Sequence, residues 1–566
     1  MLLNMEKNMQ KPWLKSYPTG VAEEIDSNEY SSVADIFDSS VAKYGDLPAY
    51  TNFGKTLSYH DVDLYTAQLG AYLKNELGLE KGDRVAVMMP NLLQNPIAIF
   101  GILRAGLVVV NTNPLYTARE LKHQLVDSGA KAIIIVDNFA HVLQDVISET
   151  KIEHVITTKM GDMLSPLKGF IINTVVKYVK KMVPDFTIKN AVNFKTALKL
   201  GTQHRFQTVT SNHDDIAFLQ YTGGTTGVSK GAILTNGNMV SNMLQASAWI
   251  DQFIGDRQGT IITALPLYHI FSLTANCLTF MRFGWCNYLI TNPRDIKGFV
   301  KELKATKFQV ITGVNTLFNG LLNNPDFKTI DWSHFSFALG GGMAVQLGVA
   351  ERWKEVTGTT LIEAYGLTET SPAACMNPMN LKEFNGKIGL PISSTEVSIQ
   401  DDDWNELALG EQGEICIRGP QVMRGYWELP KETSNSLSND GWFHTGDIGF
   451  MDKAGFVQIV DRKKDMILVS GFNVFPSEVE EVIADHPGVT EVGVIGKPDE
   501  HSGEVVMAVV VKKDESLTEE ALRDFCRKGL TSYKVPKSIV FTDELPKTNV
   551  GKILRRELRD KYITGT

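Results

Sequence analysis

The stretch Tyr221-Thr-Gly-Gly-Thr-Thr-Gly-Val-Ser-Lys-Gly-Ala232 combines flexible backbone, hydroxyls and a cation in the proportions a polyphosphate demands. Gly223, Gly224, Gly227 and Gly231 let backbone N–H groups approach an anion without a Cβ in the way. Thr222, Thr225, Thr226 and Ser229 add hydroxyl donors, and Lys230 a mobile positive charge. The apolar, β-favouring run from Asp215 to Tyr221 precedes the loop, and the stretch from Ile233 to Met243 reads as the start of a helix. The expected context is therefore strand, phosphate loop, helix. It is not a Walker A loop, because Lys230 precedes Gly231 instead of following the last glycine, and no G-x-G-x-x-G opens a helix here.

Outward from the loop, strand-like runs (Arg84 to Met89, Leu107 to Val110, Ala132 to Val136, His154 to Thr157) alternate with helix-like stretches around Leu64 to Leu77 and Thr117 to Ser128. That rhythm predicts βαβ layers with parallel sheets. It continues through Thr260 to Thr263, Gln309 to Ile311 and Ser336 to Leu339, the last running into Gly340-Gly-Gly342. From about Val397 short alternating strands and frequent turns predict a small β unit. The charged break Asp461-Arg-Lys-Lys-Asp465 then marks a boundary or hinge, and a compact α+β tail of about a hundred residues follows, large enough for its own core. The expected architecture is α/β: a large N-terminal domain of layered α/β sheets plus a small β subdomain over 1–462, then a small mobile α+β C-terminal domain over 463–566.

Bulk properties narrow the function. A chain of 566 residues needs several core units, and a net charge of −9 argues against nucleic-acid binding. Five scattered cysteines without a C-x-x-C favour reduced thiols over a disulfide or zinc framework, and the polar N-terminus lacks a signal peptide's apolar stretch. The run Pro96 to Val110 is broken by Arg104 and too short to span a bilayer. A cytoplasmic location is expected. The segment from Leu164 to Pro184 stands apart: Ser165 and Pro166 start a helix on which Leu167, Ile171, Val175, Tyr178 and Met182 share one face and Asn173, Lys177, Lys180 and Lys181 the other. Such a basic amphipathic helix suits either a membrane surface, with peripheral contact at the cytoplasmic face of the inner membrane, or packing on the domain or a dimer partner.

Three further motifs carry chemistry. Leu361-Ile-Glu-Ala-Tyr-Gly-Leu-Thr-Glu-Thr370 offers an aromatic ring for a base, a threonine for a phosphate and a carboxylate for magnesium. Asp440-Gly-Trp-Phe-His-Thr-Gly-Asp447 with Asp461-Arg462 offers a carboxylate able to accept two ribose hydroxyls. Leu545-Pro-Lys-Thr-Asn-Val-Gly-Lys-Ile-Leu-Arg-Arg556 places Lys552 on a glycine-supported turn near the C-terminus.

These four motifs, in this order, resemble the adenylate-forming superfamily of acyl-CoA synthetases, adenylation domains and beetle luciferases, over about Tyr50 to Arg559. Asp440 to Lys464 is similar to the signature segment of fatty acyl-CoA synthetases, and Leu265 to Phe271, Thr312 to Phe318 and Pro12 to Pro18 resemble the bacterial long-chain branch. The resemblance implies an acyl-CoA synthetase/luciferase-like fold and an AMP-forming ligase of long-chain fatty acid and CoA, using ATP and Mg²⁺, serving fatty-acid degradation or lipid synthesis, and a homodimer. It implies Tyr221, Thr222, Gly223, Gly224, Thr225, Thr226, Gly227, Val228, Ser229, Lys230, Gly231 and Ala232 as the phosphate loop, and Tyr365 as the ring stacked on adenine. Gly341, Gly342, Glu363, Ala364 and Gly366 would border the base. Thr368 would meet the α-phosphate, Thr225 and Glu369 the metal, and Asp447 and Arg462 the ribose. Lys464 would be the hinge, Lys552 the catalytic lysine of the first half-reaction, and His269 the neighbour of the reacting carboxylate, while Ser470, Gly471 and Phe472 would line the thiol approach. Two positions depart from the family pattern: Asn236, where many relatives carry His, and Ala364, where they often carry Gly.

Overall fold

The structure, a computed structural model, describes residues 11–222, 229–255, 257–470, 472–499, 501–548 and 553–564. A seven-stranded sheet runs in the order Val192–Asn193, His154–Thr158, Ala132–Val136, Arg84–Met88, Val108–Asn111, Ile216–Thr222, Lys230–Thr235, all parallel except the last strand. Its central strands bury both faces: Val85, Val87, Ile134 and Val109 enter one core while Ala86, Met88, Ile133 and Val110 enter another. Period-2 alternation between two apolar cores is why these strands read as unbroken apolar runs.

A nine-stranded sheet faces it, ordered Leu390–Pro391, Ala373–Met376, Leu361–Gly366, Phe337–Gly340, Val310–Gly313, Thr260–Thr263, Cys286–Leu289, Pro48–Asn52, Lys55–Ser58, with parallel pairs at its centre. Residues of both sheets share a core with helices Tyr59–Ala71, Gln94–Arg104 and Asn236–Ile254. Every residue of Gln94–Arg104 is buried, as expected of a helix covered on all sides. The helix Asn236–Ile254 starts on a reciprocal cap, Thr235 accepting from Asn238 N while the Asn238 side chain accepts from Thr235.

The small β unit is an antiparallel four-stranded sheet, Glu396–Gln400, Gly413–Arg418, Phe443–Met451 and Val457–Arg462. Beyond it a separate five-stranded sheet begins at Ile467. Its long hairpin, Val489–Asp499 with Gly503–Lys512, sends Val494, Val506 and Ala508 to one core and Ile495, Met507 and Val509 to another. Helices Pro476–Ala484 and Glu519–Gly529 cover the first face, and Thr518 caps the second helix as its hydroxyl predicted. At the other end of the chain, the 3-10 turn Pro12–Ser16 buries Trp13 so tightly against Gly455 that a Cβ there would lie 2.3 Å from the Trp13 backbone.

One expectation beside the phosphate loop is corrected. Lys230–Thr235 is a strand, not the beginning of a helix, and it pairs antiparallel with Ile216–Thr222. Gly-Ala-Ile-Leu is short enough to read either way, and the pairing partner decides it. The context is strand, loop, strand, with the helix starting only at Asn236.

Candidate active site

The carboxyl ends of the parallel strands of both sheets open into one cleft of about 3100 Å³, the place where open α/β sheets take ligands. Its walls bring together Tyr221, Thr222, Ser229, Lys230, His269, Gly341, Gly342, Glu363, Ala364, Tyr365, Gly366, Thr368, Glu369, Asp447, Arg462 and Lys464, residues drawn from widely separated sequence segments. Gly231 and Ala232 stand outside these walls. A Cβ on Gly231 would meet the Tyr221 ring at 3.1 Å, and Ala232 is fully buried. Both pack within the hairpin Ile216–Thr222 and Lys230–Thr235. Gly223, Gly224, Thr225, Thr226, Gly227, Val228, Gly471 and Lys552 lie outside the described residues.

The Tyr221–Lys230 end of the cleft is held by residues far away in sequence. The Tyr221 hydroxyl donates to Asp127 at 2.6 Å, and His123 Nε2 meets the Ser229 carbonyl at 2.9 Å. Lys230 forms an ion pair with Glu432 and lies 5.2 Å from the Tyr426 ring centroid. Glu369 sits in a 3-10 turn, Thr368–Thr370, and is buried with one carboxylate oxygen accepting from the Tyr426 hydroxyl at 2.8 Å. Burial pushes its carboxyl above the ordinary range, against the pull of that hydrogen bond. The His123, Asp127 and Tyr426 contributions carry no motif and went unread in the sequence.

Around Gly341 and Gly366 the glycines have steric reasons. A Cβ on Gly341 would stand 3.1 Å from both the Ala364 carbonyl and the Phe271 ring, and one on Gly366 1.7 Å from the Pro372 carbonyl. Glu363 accepts from Val345 N at 3.0 Å, and burial pushes its carboxyl up to about 7. Across the cleft Tyr365 donates to one oxygen of Asp447 at 2.6 Å while Arg462, its partner across the strand pair, reaches the other at 2.5 Å. That contact fixes the orientation of the Tyr365 ring.

His269 caps the helical segment starting at Ile270, its Nδ1 accepting from Phe271 N at 3.3 Å. Burial holds its imidazole down at about 4, so it is neutral at pH 7, and with Nδ1 accepting, the proton lies on Nε2. The cleft also has apolar lining: Ala246 and Ile250, which share a face of the helix Asn236–Ile254 with Asn242 at a spacing of four, and Phe337 and Leu339 of the nine-stranded sheet. Asn236 is absorbed by local structure, its side chain accepting from Val33 N at 3.0 Å and donating to the Asp215 carbonyl.

From the small C-terminal unit, Thr548, Ile553, Leu554 and Arg555 line the same cleft, flanking the position of Lys552. Ser470 and Phe472 do not. The Phe472 ring stacks on Tyr533 at 4.9 Å and is largely exposed.

Residues 37–427 match the AMP-binding enzyme family, and residues 478–552 match the AMP-binding enzyme C-terminal domain. The chain is 56% identical over 553 residues to a long-chain-fatty-acid–CoA ligase of Escherichia coli O157:H7, covering 98% of each. It is 38% identical to one of Bacillus subtilis, again covering 98% of both. Among solved structures, ATP-bound MatB from Rhodopseudomonas palustris superposes with a TM-score of 0.81 at 28% identity, over 94% of this chain and 99% of that one.

Proposed function

The chain belongs to the AMP-binding enzyme family, and we propose that it joins long-chain fatty acids to coenzyme A through an acyl-adenylate, with ATP cleaved to AMP and pyrophosphate. The observation that carries this reading is a single cleft lined both by apolar side chains such as Ala246, Ile250, Phe337 and Leu339 and by His269, Lys230, Glu369 and the Asp447–Arg462 pair.

The residues present fit the chemistry. A fatty acid ionises near the pKa of a glutamate side chain, about 4.3, so at pH 7 it is already the nucleophile and needs no general base. The neutral His269 has an Nε2 proton with which to orient that carboxylate. A carboxylate oxygen attacks the α-phosphorus, the bond from that phosphorus to the bridging oxygen breaks, and pyrophosphate leaves with the electron pair. Lys230 and Lys552 supply positive charge against the polyanion. Glu369 and Thr225 would hold Mg²⁺; a single buried carboxylate suits an ion that takes most of its remaining ligands from phosphates and water. When bound, the metal neutralises charge developing on the phosphates. Tyr365 supports the base and Asp447 with Arg462 the ribose. CoA thiolate then attacks the acyl carbonyl and AMP departs.

Residues 1–462 act as the AMP- and acyl-binding domain, and 463–566 as a mobile domain turning about Lys464. In support, the second sheet begins only at Ile467 and has its own cores. The turn flanking Lys552 faces the cleft while Ser470 and Phe472 stand outside it, so this arrangement suits the adenylation step. Turning the small domain would carry Ser470, Gly471 and Phe472 to the thiol path.

Peripheral membrane contact is favoured by one helix. In Pro166–Thr174 and its continuation Val175–Val179, the side carrying Gly169, Ile172 and Asn173 docks: Asn173 accepts from Gly161 N at 2.8 Å, Ile172 packs on the core, and Gly169 lies so close that a Cβ would meet the Gly161 carbonyl at 2.5 Å. The apolar side faces out, with Leu167, Phe170, Tyr178 and Val179 each about 70% exposed. Lys168, Lys177, Lys180 and Lys181 flank it, the composition that lies in an anionic lipid surface. No helix among the described residues is long and apolar enough to cross a membrane. A homodimer is the competing use of the same face.

The test is fatty-acid-dependent conversion of ATP to AMP, with and without CoA, across short to long acids. Formation of ADP, or no dependence on the acid, would sink the ligase reading. A Lys552→Ala variant is expected to lose adenylation while still converting supplied acyl-AMP to thioester; equal loss of both steps refutes the division of labour.

A further inference from the structure

One segment, Met423 to Thr433, touches both charged poles of the phosphate site. Its backbone is laced to the return strand of the phosphate hairpin: Arg424 N donates to the Ile233 carbonyl, Ile233 N to that of Gly425, and Trp427 N to that of Gly231, at 2.8 to 3.1 Å. At its start Met423 N donates to the Glu369 carbonyl at 2.8 Å. Within it the Tyr426 hydroxyl donates to a Glu369 carboxylate oxygen, the Tyr426 ring lies against the Lys230 ammonium, and Glu432 pairs with that ammonium. Tyr426 is itself fixed, its N donating to Thr433 Oγ1 at 2.9 Å.

We propose that Tyr426 is a positioning residue of the nucleotide site, its hydroxyl fixing one oxygen of Glu369 so that the other faces the metal on the phosphates, and its ring, with Glu432, fixing where Lys230 waits. The inference rests on the reading of the cleft as an ATP site. A carboxylate held by one oxygen has a single way to present the other, whereas a free one must be ordered when the metal arrives. Glu432 plays the opposite part: it competes with the polyphosphate for Lys230 and takes the ammonium back when the anion leaves.

Isothermal titration of ATP into the whole protein at a series of Mg²⁺ concentrations, including none, reads both arms without turnover. For Tyr426→Phe, which keeps the ring, the Mg²⁺ concentration giving half of the affinity gain should rise about tenfold, the loss of one hydrogen bond to a charged group, with metal-free ATP affinity unchanged. An unaltered Mg²⁺ response, or equal weakening with and without the metal, overturns the proposal. Glu432→Gln should bind metal-free ATP several-fold more tightly, as a partly exposed pair gives way; unchanged or weaker binding overturns the Lys230 arm and decides the matter alone should Tyr426→Phe not fold. Wild-type protein that binds no ATP would instead refute the function on which the inference stands.

Discussion

Glu363 stores a pH-dependent cost in the wall of the cleft. Its carboxyl, ordinarily ionising near 4.5, is pushed up to about 7 by burial, with only the Val345 N–H opposing the shift. Below pH 4.5 it is protonated in both the folded and the unfolded chain and costs nothing. Between 4.5 and 7 the folded chain holds a proton that the unfolded chain has released, so stability falls as pH rises through this window, and above 7 the full cost, about 3 kcal/mol, is present. Glu363→Gln keeps an acceptor for Val345 N without the charge. Its melting temperature should exceed the wild type's by several degrees at pH 8, the gain shrinking toward zero near pH 4.5; a gain independent of pH would show that the burial of charge is not its cause. His269 shifts the other way for the same physical reason, burial disfavouring its charged form.

Elements show where sequence reading succeeds and stops. Ala132–Val136 and Val108–Asn111 were legible because strands buried on both faces leave unbroken apolar runs. The glycines at 341 and 366 were legible as site residues, but their reason, the carbonyls of Ala364 and Pro372 lying within a Cβ's reach, exists only after folding. The Lys230–Thr235 strand was misread because its partner, not its composition, makes it a strand. Tyr426 and Glu432, two hundred residues from the hairpin they clasp, had no local signal at all. The helix from Pro166 was read with Leu167, Ile171, Tyr178 and Met182 on one face, and these are exposed, but Asn173 docks apart from Lys177, Lys180 and Lys181, which are exposed too; docking by Gly169, Ile172 and Asn173 leaves these apolar side chains outward, against the usual apolar-inward rule. That reversal yields a prediction: Lys177, Lys180 and Lys181 changed together to Glu should abolish co-sedimentation with anionic vesicles, each lysine contributing about 1 kcal/mol near such a surface. Persistent vesicle binding counts against the helix, and a wild type that sediments as a dimer without binding vesicles assigns the face to a second copy.

At the scale of the whole molecule, Asp461 links the four-stranded sheet to the five-stranded unit that follows it. It is the penultimate residue of the strand Val457–Arg462 and is 3% exposed. One of its oxygens accepts from Ser477 N at 2.6 Å, in the first turn of the helix Pro476–Ala484, and the other from Arg555 at 3.1 Å. Arg555 also reaches Glu480 at 2.7 Å and Asp465 at 3.4 Å, so among its carboxylate partners only Asp461 precedes Lys464. A turn about Lys464 would leave the Glu480 and Asp465 pairs intact and break the bonds of Asp461 to Ser477 and Arg555, while its bond from Arg462 N at 2.7 Å stays on its own strand. On the proposed rotation, Asp461 would be the latch of the arrangement in which Thr548, Ile553, Leu554 and Arg555 line the cleft. Asp461→Ala removes two charge-assisted hydrogen bonds from that arrangement and nothing from within the small domain, so adenylation should slow about tenfold. Conversion of supplied acyl-AMP by CoA should hold or quicken, because the alternative arrangement gains population. Rapid-quench measurement of the two half-reactions separates these outcomes: equal slowing of both would make Asp461 a general support of the fold, and no change in either would mean that the domains are held by other contacts.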